Sequence, residues 1–441
     1  MLLEFKAENY KSFKDELVFS MIPAPKQTGL DFSILNEKIG SKSYKGICSA
    51  VIYGPNASGK TNIIGAMEVF KAIILRGNIR NADGPLTPNA AVNTLELIPN
   101  IANKGSIPVD FSIKFIENNL LFTYQLSINI GSFLETDYKR KIESETLSIN
   151  EELVFSRTNS LEFGDLKVIN NYLVNEFESN KIGALTLAKS NLNDDELFLV
   201  NGFKSMFSSK LVTIIGNWLE NKLMVIYRGD ALHLTKKFSD PKKQTVYIDK
   251  TINDAARIFG LDSNAIGYLV FDDESDPKLC SIFNADSLSN KAIPADIFES
   301  HGTIRFINVF PLVLKALFTG GTLVVDEFDA SIHPMALMSI INLFHNDDIN
   351  LRNAQLIFNT HNPIFLNSNL FRRDEIKFVE RDDVTHYSAH YSLSDFGTSG
   401  KMGVRKHEDY MKNYFVNQYG AIKDIDFTSI FEEIRQDSKE V

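Results

Sequence analysis

The chain predicts an α/β fold with a largely parallel sheet and an added strand-rich side. Three observations predict it. An apolar run at residues 50–53 stops abruptly at Gly54, and a glycine-containing loop follows. Residues 62–74 then place Ile63, Ile64, Met67, Val69, Phe70, Ala72 and Ile73 mostly at helical spacing. From residue 297 onward, an apolar helix (304–318), a buried strand (323–325), a helix (336–344) and another buried strand (355–358) alternate. Strands separated by helices imply parallel pairing. With 441 residues, 44% hydrophobic and 23% charged, the chain has the composition of an ordinary globular protein and length for two or three structural units.

Taken in order, LLEFKAENY and ELVFSMI read as two strands joined by KSFKD. Residues 76–106, rich in Asn, Gly and Pro, read as a long loop. VDFSIKFIE and LFTYQLSIN form a predicted hairpin around Asn118-Asn119, and IESETLSIN and EELVFSR add further strands. Helical patterns lie near 165–178 and 194–221, with Trp218 expected to pack in a core. A basic hairpin-like piece at 234–249 carries Lys236, Lys237, Lys242 and Lys243. The expected division is 1–159 (first half of a head with the glycine loop and a β-lobe), 160–290 (an inserted, mainly helical domain) and 291–441 (second half of the head).

Lys and Arg number 46 against 56 Asp and Glu, a net charge of −10. That argues against a chain that coats DNA or an anionic membrane with its whole surface. Cys48 and Cys280 have no CxxC partner, which speaks against a disulfide scaffold or a cysteine zinc site and fits a reducing compartment. The N-terminal MLLEFKAENYKSF has no signal-peptide pattern. The apolar stretch 306–325 is broken by Pro311, Lys315 and Gly320-Gly321. The expectation is a cytoplasmic protein with no membrane partner.

Gly54, Pro55, Asn56, Ala57, Ser58, Gly59, Lys60 and Thr61 fit GxxxxGK[ST] at every fixed position, with Asn62 opening the helix. The glycines let backbone N–H groups wrap a polyphosphate at a helix N-terminus. Lys60 supplies a cation for the outer phosphates, and the Thr61 hydroxyl can ligate Mg²⁺. Thr322 to Glu327 is an apolar strand ending in two carboxylates. Asp326 suits the Mg²⁺ shell and Glu327 the attacking water. Neighbouring strand residues point to opposite faces, so a turn must bring both to one place. His361 follows the strand 355–358, where open α/β sheets bind ligands. Ser300, Gly302 and Thr303 in ESHGT precede an apolar helix, an arrangement that offers a plain N-cap or an anion site.

In this order the motifs resemble the ATP-binding-cassette type head of SMC and OLD-like ATPases. They are most similar to AAA-family ATP-binding proteins of prokaryotic antiphage systems, such as RloA-like proteins and the ATPase subunit of PARIS systems. The residues that carry the resemblance are FKAENYKSF, GPNASGKTN, ESHGT, VVDEFDASIHP, QLIFNTHNP, FRRDEIKFVE and the late YGAI. It covers residues 1–75 and 295–425. The resemblance implies ATP and Mg²⁺ as ligands and an ATP-dependent homodimer or higher oligomer. It implies Lys11 near the nucleotide, Ser300, Gly302 and Thr303 as a signature touching the γ-phosphate of the other subunit, and Asp329 in an interface loop. His361 becomes the switch histidine. The Gln that such heads use has no counterpart in 76–106, where Asn93 or a neighbour could substitute. Glu408, Asp409, Asp424 and Asp426 are too few for the TOPRIM nuclease domain that OLD proteins carry, so a nuclease effector is expected as a separate chain.

Three functions compete. The first is an ATPase switch that controls an effector such as a TOPRIM-type or other nuclease. The second is a DNA-binding or DNA-repair ATPase. The third is a scaffold in which ATP is structural. Arg372-Arg373 reads equally as an ion-pair site or an interface. His386 and His390 sit in a strand-like pattern that does not suit a metal pair.

Overall fold

The structure is a computed structural model. It describes the chain except residues 26, 28, 81–94, 106, 136–137, 176, 229–245, 262, 264, 270–276, 287–288, 399–402, 406–407, 424 and 438–441. Asn93, the lysines at 236, 237, 242 and 243, and Asp424 lie outside the described residues.

The central sheet has six strands in the order Leu223–Ile226, Thr322–Val325, Gln355–Asn359, Ser49–Tyr53, Ile376–Arg381 and Ser388–Ser392. All neighbours are parallel except the last pair. The parallel strands are nearly continuous apolar runs, and Ser49–Tyr53, Thr322–Val325 and Gln355–Asn359 are buried at every residue. That is the pattern of a sheet covered on both faces. Lys60–Arg76 packs on one side with Ile63, Ile64, Met67, Val69 and Phe70 inward. His301–Thr319 and Pro334–Phe344 contribute Phe306, Ile307, Val313, Leu337 and Ile341 to the second core cluster. His301–Thr319 has the length and mean hydropathy (1.3) to cross a membrane. Half of that window is buried, and Pro311 interrupts it.

The second sheet has seven strands, all antiparallel. Its order is Leu161–Phe163, Glu152–Arg157, Lys141–Ile149, Leu120–Asn129, Val109–Glu117, Leu2–Glu8 and Leu17–Ser20. The predicted hairpin is present. Asn118 and Asn119 take φ of 50° and 58°, the left-handed pair that matches strand twist in a two-residue turn. Asn150 and Glu151 repeat this between the next two strands, at 54° and 71°. Trp218 is 1% exposed and stacks on Phe115 with centroids 3.9 Å apart.

The stretch 160–290 differs from the expected helical insertion. Its Leu223–Ile226 pairs in parallel with Thr322–Val325 and forms the edge of the central sheet. Val246–Tyr247, Ala265–Leu269, Lys278–Asp286 and Ser289–Pro294 form a four-stranded antiparallel sheet. Helices such as Phe177–Ser190 and Ser209–Asn217 occupy only part of it. Leu223–Ile226 was hidden because four apolar residues abutting a helix show no period of their own. Only the parallel partner some hundred residues away makes them a strand.

Arg372 and Arg373, left open between two readings, are buried structural groups. Arg372 pairs with Asp374 and donates to the Gly29 carbonyl. Arg373 donates to the Gly397 and Val404 carbonyls. His390 lies on the strand Ser388–Ser392, buried against Phe19. Burial, aided by Lys377, pushes its pKa down to about 3.

Candidate functional site

The strand Ser49–Tyr53 ends at the loop 54–59, and the helix Lys60–Arg76 begins directly behind it. Gly59 is the N-cap at φ 113°, where a Cβ would come within 2.7 Å of the Ser388 hydroxyl and 2.8 Å of the Ser12 hydroxyl. Only glycine lets the loop pass there. The loop walls a cleft of about 310 Å³. Asn56, Ala57, Ser58, Gly59, Lys60, Thr61 and Asn62 line one side, and Glu327, Asn359, His361 and Arg381 line the other.

Lys60 is buried, and its ammonium donates to the Gly54 and Pro55 carbonyls at 2.7 and 2.9 Å. Burial lowers its pKa to about 8 against the opposing pull of Asp326, Glu327 and Asp329. An incoming polyanion would restore the charge that burial disfavours.

Asp326 lies behind the cleft wall, 2% exposed. The Thr61 hydroxyl donates to its Oδ1 at 3.0 Å, and the Arg228 N–H donates to its Oδ2 at 3.3 Å. The P-loop hydroxyl and the carboxylate of the acidic strand, 265 residues apart, thus converge on one point. Glu327 is exposed and sits at φ 51°, in the left-handed region. This residue is the turn that the two-faced strand pattern demanded. Such a φ costs a non-glycine residue about 1–3 kcal/mol, so the surroundings must hold it. They do so from two sides. The Asn359 side chain accepts the Glu327 N–H and donates its own N–H to Asp326. Arg305 donates to the carbonyls of Asp326 and Glu327. The amide carries its acceptor oxygen and donor nitrogen on separate atoms, so it can give and accept at once.

His361 is exposed at the cleft mouth. Loss of hydration, then the neighbouring Lys60, lowers its pKa below the usual imidazole value. It is neutral at pH 7 and can donate or accept one hydrogen bond at each nitrogen.

Four expected site residues stand elsewhere. Lys11 is not on the cleft. Its ammonium pairs with Glu96 at 2.6 Å and with the Tyr227 hydroxyl at 3.1 Å. Its neighbour Ser12 is the residue that meets the phosphate loop, accepting from the Asn62 amide at 2.8 Å. Ser300, Gly302 and Thr303 form the N-terminus of the helix His301–Thr319, away from the cleft lining. Ser300 caps the Thr303 N–H at 3.1 Å. A Cβ on Gly302 would meet the Ser331 carbonyl at 2.2 Å, so this helix end packs tightly on the loop after the acidic pair. Ser300 and His301 face solvent.

Sequence reading missed Asn359 and Arg381. Asn359 is the residue before the Thr360-His361 pair, at the end of a strand, and only its position flagged it. Arg381 donates to the Ala57 carbonyl at 3.3 Å and adds a cation to the cleft rim. It lies one residue beyond the FRRDEIKFVE motif and had no signal.

A family described as "AAA domain, putative AbiEii toxin, Type IV TA system" matches residues 49–367. That span runs from the P-loop strand past His361. No curated protein matches the chain.

Proposed function

The chain belongs to this AAA-domain family tied to toxin–antitoxin systems, with its P-loop α/β fold, and from that premise we propose that it is a Mg-ATP-dependent hydrolase acting as a switch on a partner effector. The observation that carries the reading is the Thr61–Asp326 hydrogen bond at 3.0 Å, which puts two hard oxygen donors together beside Lys60. Those two side chains would hold Mg²⁺, which would neutralise charge on the outer phosphates. Lys60 leaves its two loop carbonyls for the phosphates. Glu327, turned into the cleft, orients and deprotonates the attacking water, and His361 contacts the γ-phosphate. Asn359 keeps the Glu327 turn in register with Asp326.

The finer architecture is an ATP-binding-cassette type head. The separate antiparallel sheet and the signature-like helix end support it. Ser300, Gly302 and Thr303 stand apart from the cleft of their own chain while Ser300 stays exposed. They would complete the cleft of a second copy, making a nucleotide-sandwich dimer. The family's printed link to type IV toxin–antitoxin systems supports a partner chain, for which an antiphage nuclease in trans is the proposed effector.

The test is Glu327→Gln. It should bind ATP normally, slow phosphate release about 10²–10⁴-fold, and accumulate as an ATP-held dimer. Phosphate release and light scattering with and without Mg-ATP measure both effects. Wild-type turnover in the variant removes Glu327 from the mechanism. DNA-stimulated turnover with steep salt dependence would move the reading to a DNA-acting ATPase.

A further inference from the structure

The far end of the central sheet holds a second polar cluster, unconnected to the nucleotide cleft. Cys48 precedes the strand Ser49–Tyr53, His345 is the C-cap of Pro334–Phe344, and Glu375 precedes Ile376–Arg381. One donor atom from each lies within 4.8 Å of the others, and all three residues are buried. His345 Nε2 stands 3.4 Å from Glu375 Oε1, and Cys48 Sγ stands 3.9 Å from the same oxygen. Ser49 Oγ joins them, 2.9 Å from His345 Nε2 and 2.6 Å from Glu375 Oε1.

We propose that Cys48, His345 and Glu375 form a structural zinc site, with one water as the fourth ligand. The donor set is thiolate, imidazole and carboxylate, the three ligand types of protein zinc. Zinc–ligand bonds of about 2.0–2.3 Å set tetrahedral donor separations of about 3.3–3.6 Å. The His345–Glu375 separation of 3.4 Å meets this, and the Cys48–Glu375 separation of 3.9 Å is a few tenths of an ångström too long, so Cys48 must move inward to bind. Two negative ligands against one dication leave the buried site neutral, which a low-dielectric interior requires.

The surroundings also fix the three side chains. Glu375 Oε2 accepts the Arg372 N–H at 2.7 Å. The His345 ring sits between Phe32 and Phe371, with centroids 5.3 and 5.7 Å away. Its Nδ1 is buried without a hydrogen-bond partner, so the ring's polar engagement is with this cluster alone. The absence of a CxxC pair spoke against a multi-cysteine site. A mixed site needs only one cysteine, and its other ligands come from about 300 residues further along the chain. The order Ser49, His345, Glu375 also suggests a nucleophile with its base. Ser49 is 0% exposed and bonds Glu375 directly, so no substrate reaches it.

Zinc here would tie the P-loop strand, the helix behind the acidic turn and the strand Ile376–Arg381 at their lower ends. The full chain, incubated with zinc and desalted, should retain about one zinc per chain by elemental analysis. Cobalt should give a thiolate charge-transfer band. Cys48→Ala and His345→Gln should both lose the metal and the band, while Cys280→Ala keeps them. Chelation should lower the melting temperature of wild type but not of Cys48→Ala. Wild-type protein that keeps no zinc, or a Cys48→Ala chain that keeps as much, overturns the site and leaves a hydrogen-bonded cluster.

Discussion

The two ends of the central sheet treat polar groups in opposite ways. At the lower end, Gln355 is fully buried and fully used. It accepts the Leu2 N–H at 2.6 Å and the Thr322 hydroxyl at 3.1 Å, and donates to the Leu2 and Ile47 carbonyls at 3.0 Å each. One amide thereby fastens the first strand of the antiparallel sheet to the parallel sheet. Asn350 likewise ties the Phe344 and Ala354 carbonyls. At the upper end, Ala57, Glu327 and Ser331 take positive φ, and Glu327 and His361 face open solvent. Satisfied polar groups give stability. Polar groups held ready, with spare hydrogen-bonding capacity, can act on a ligand.

If this contrast holds, the largest effect should come from the lower end. Gln355→Leu strands several backbone groups and should cost about 3 kcal/mol or more, at about 1–3 kcal/mol for each orphaned group. Urea unfolding measures it. The folded fraction should still bind ATP, and a loss below about 1 kcal/mol would show that the amide is not a clamp.

Asn359→Leu should act on turnover. Losing the bridge between Glu327 and Asp326 removes about 2 kcal/mol of transition-state stabilisation, roughly thirtyfold in kcat. Steady-state phosphate release at saturating ATP reads it. Unchanged kcat would mean that the left-handed turn supports itself.

Lys60 sharpens the contrast through pH. Burial holds its pKa near 8, below the value of 10.5 for a free lysine. Between those values the unfolded chain binds more protons, so stability rises with pH across that window. Lys377, buried and also near 8, contributes in the same direction. Nucleotide favours charged Lys60, so ATP binding should take up a proton near pH 8–9 and weaken as pH climbs above about 8. Calorimetry in buffers of different ionisation enthalpy measures the uptake. Lys60→Met should abolish it, and uptake that survives in that variant assigns it elsewhere.

The smallest effect belongs to Ser300→Ala. The lost cap should cost about 1 kcal/mol in thermal unfolding without nucleotide. In a Glu327→Gln background it should also weaken ATP-dependent dimerisation, measured by sedimentation. An unchanged dimer would leave Ser300 a cap and nothing more.

Much of the cleft was legible because its parts are local. GPNASGKT is a continuous loop whose glycines and lysine each answer to one backbone requirement. Asp326, Glu327 and His361 stand at the ends of apolar strands, where side chains reach a ligand without burying it. The antiparallel strands also announced themselves through two-residue alternation and the Asn-Asn turn. The partner of Lys11 was not legible, because a resemblance assigns a neighbourhood, whereas the position of an ammonium depends on the nearest carboxylate, here Glu96.

The amino-acid order, read alone, thus set the phosphate loop and, outside 160–290, most of the kinds of element, since these depend on periodicity and contacts within a few residues. It could not reveal Leu223–Ile226 as an edge strand, Asn359 as the bridge under the acidic turn, Gln355 as the clamp between sheets, or Cys48, His345 and Glu375 as neighbours. Each of these depends on which strands pair, and pairing is settled by burying apolar faces that lie tens to hundreds of residues apart.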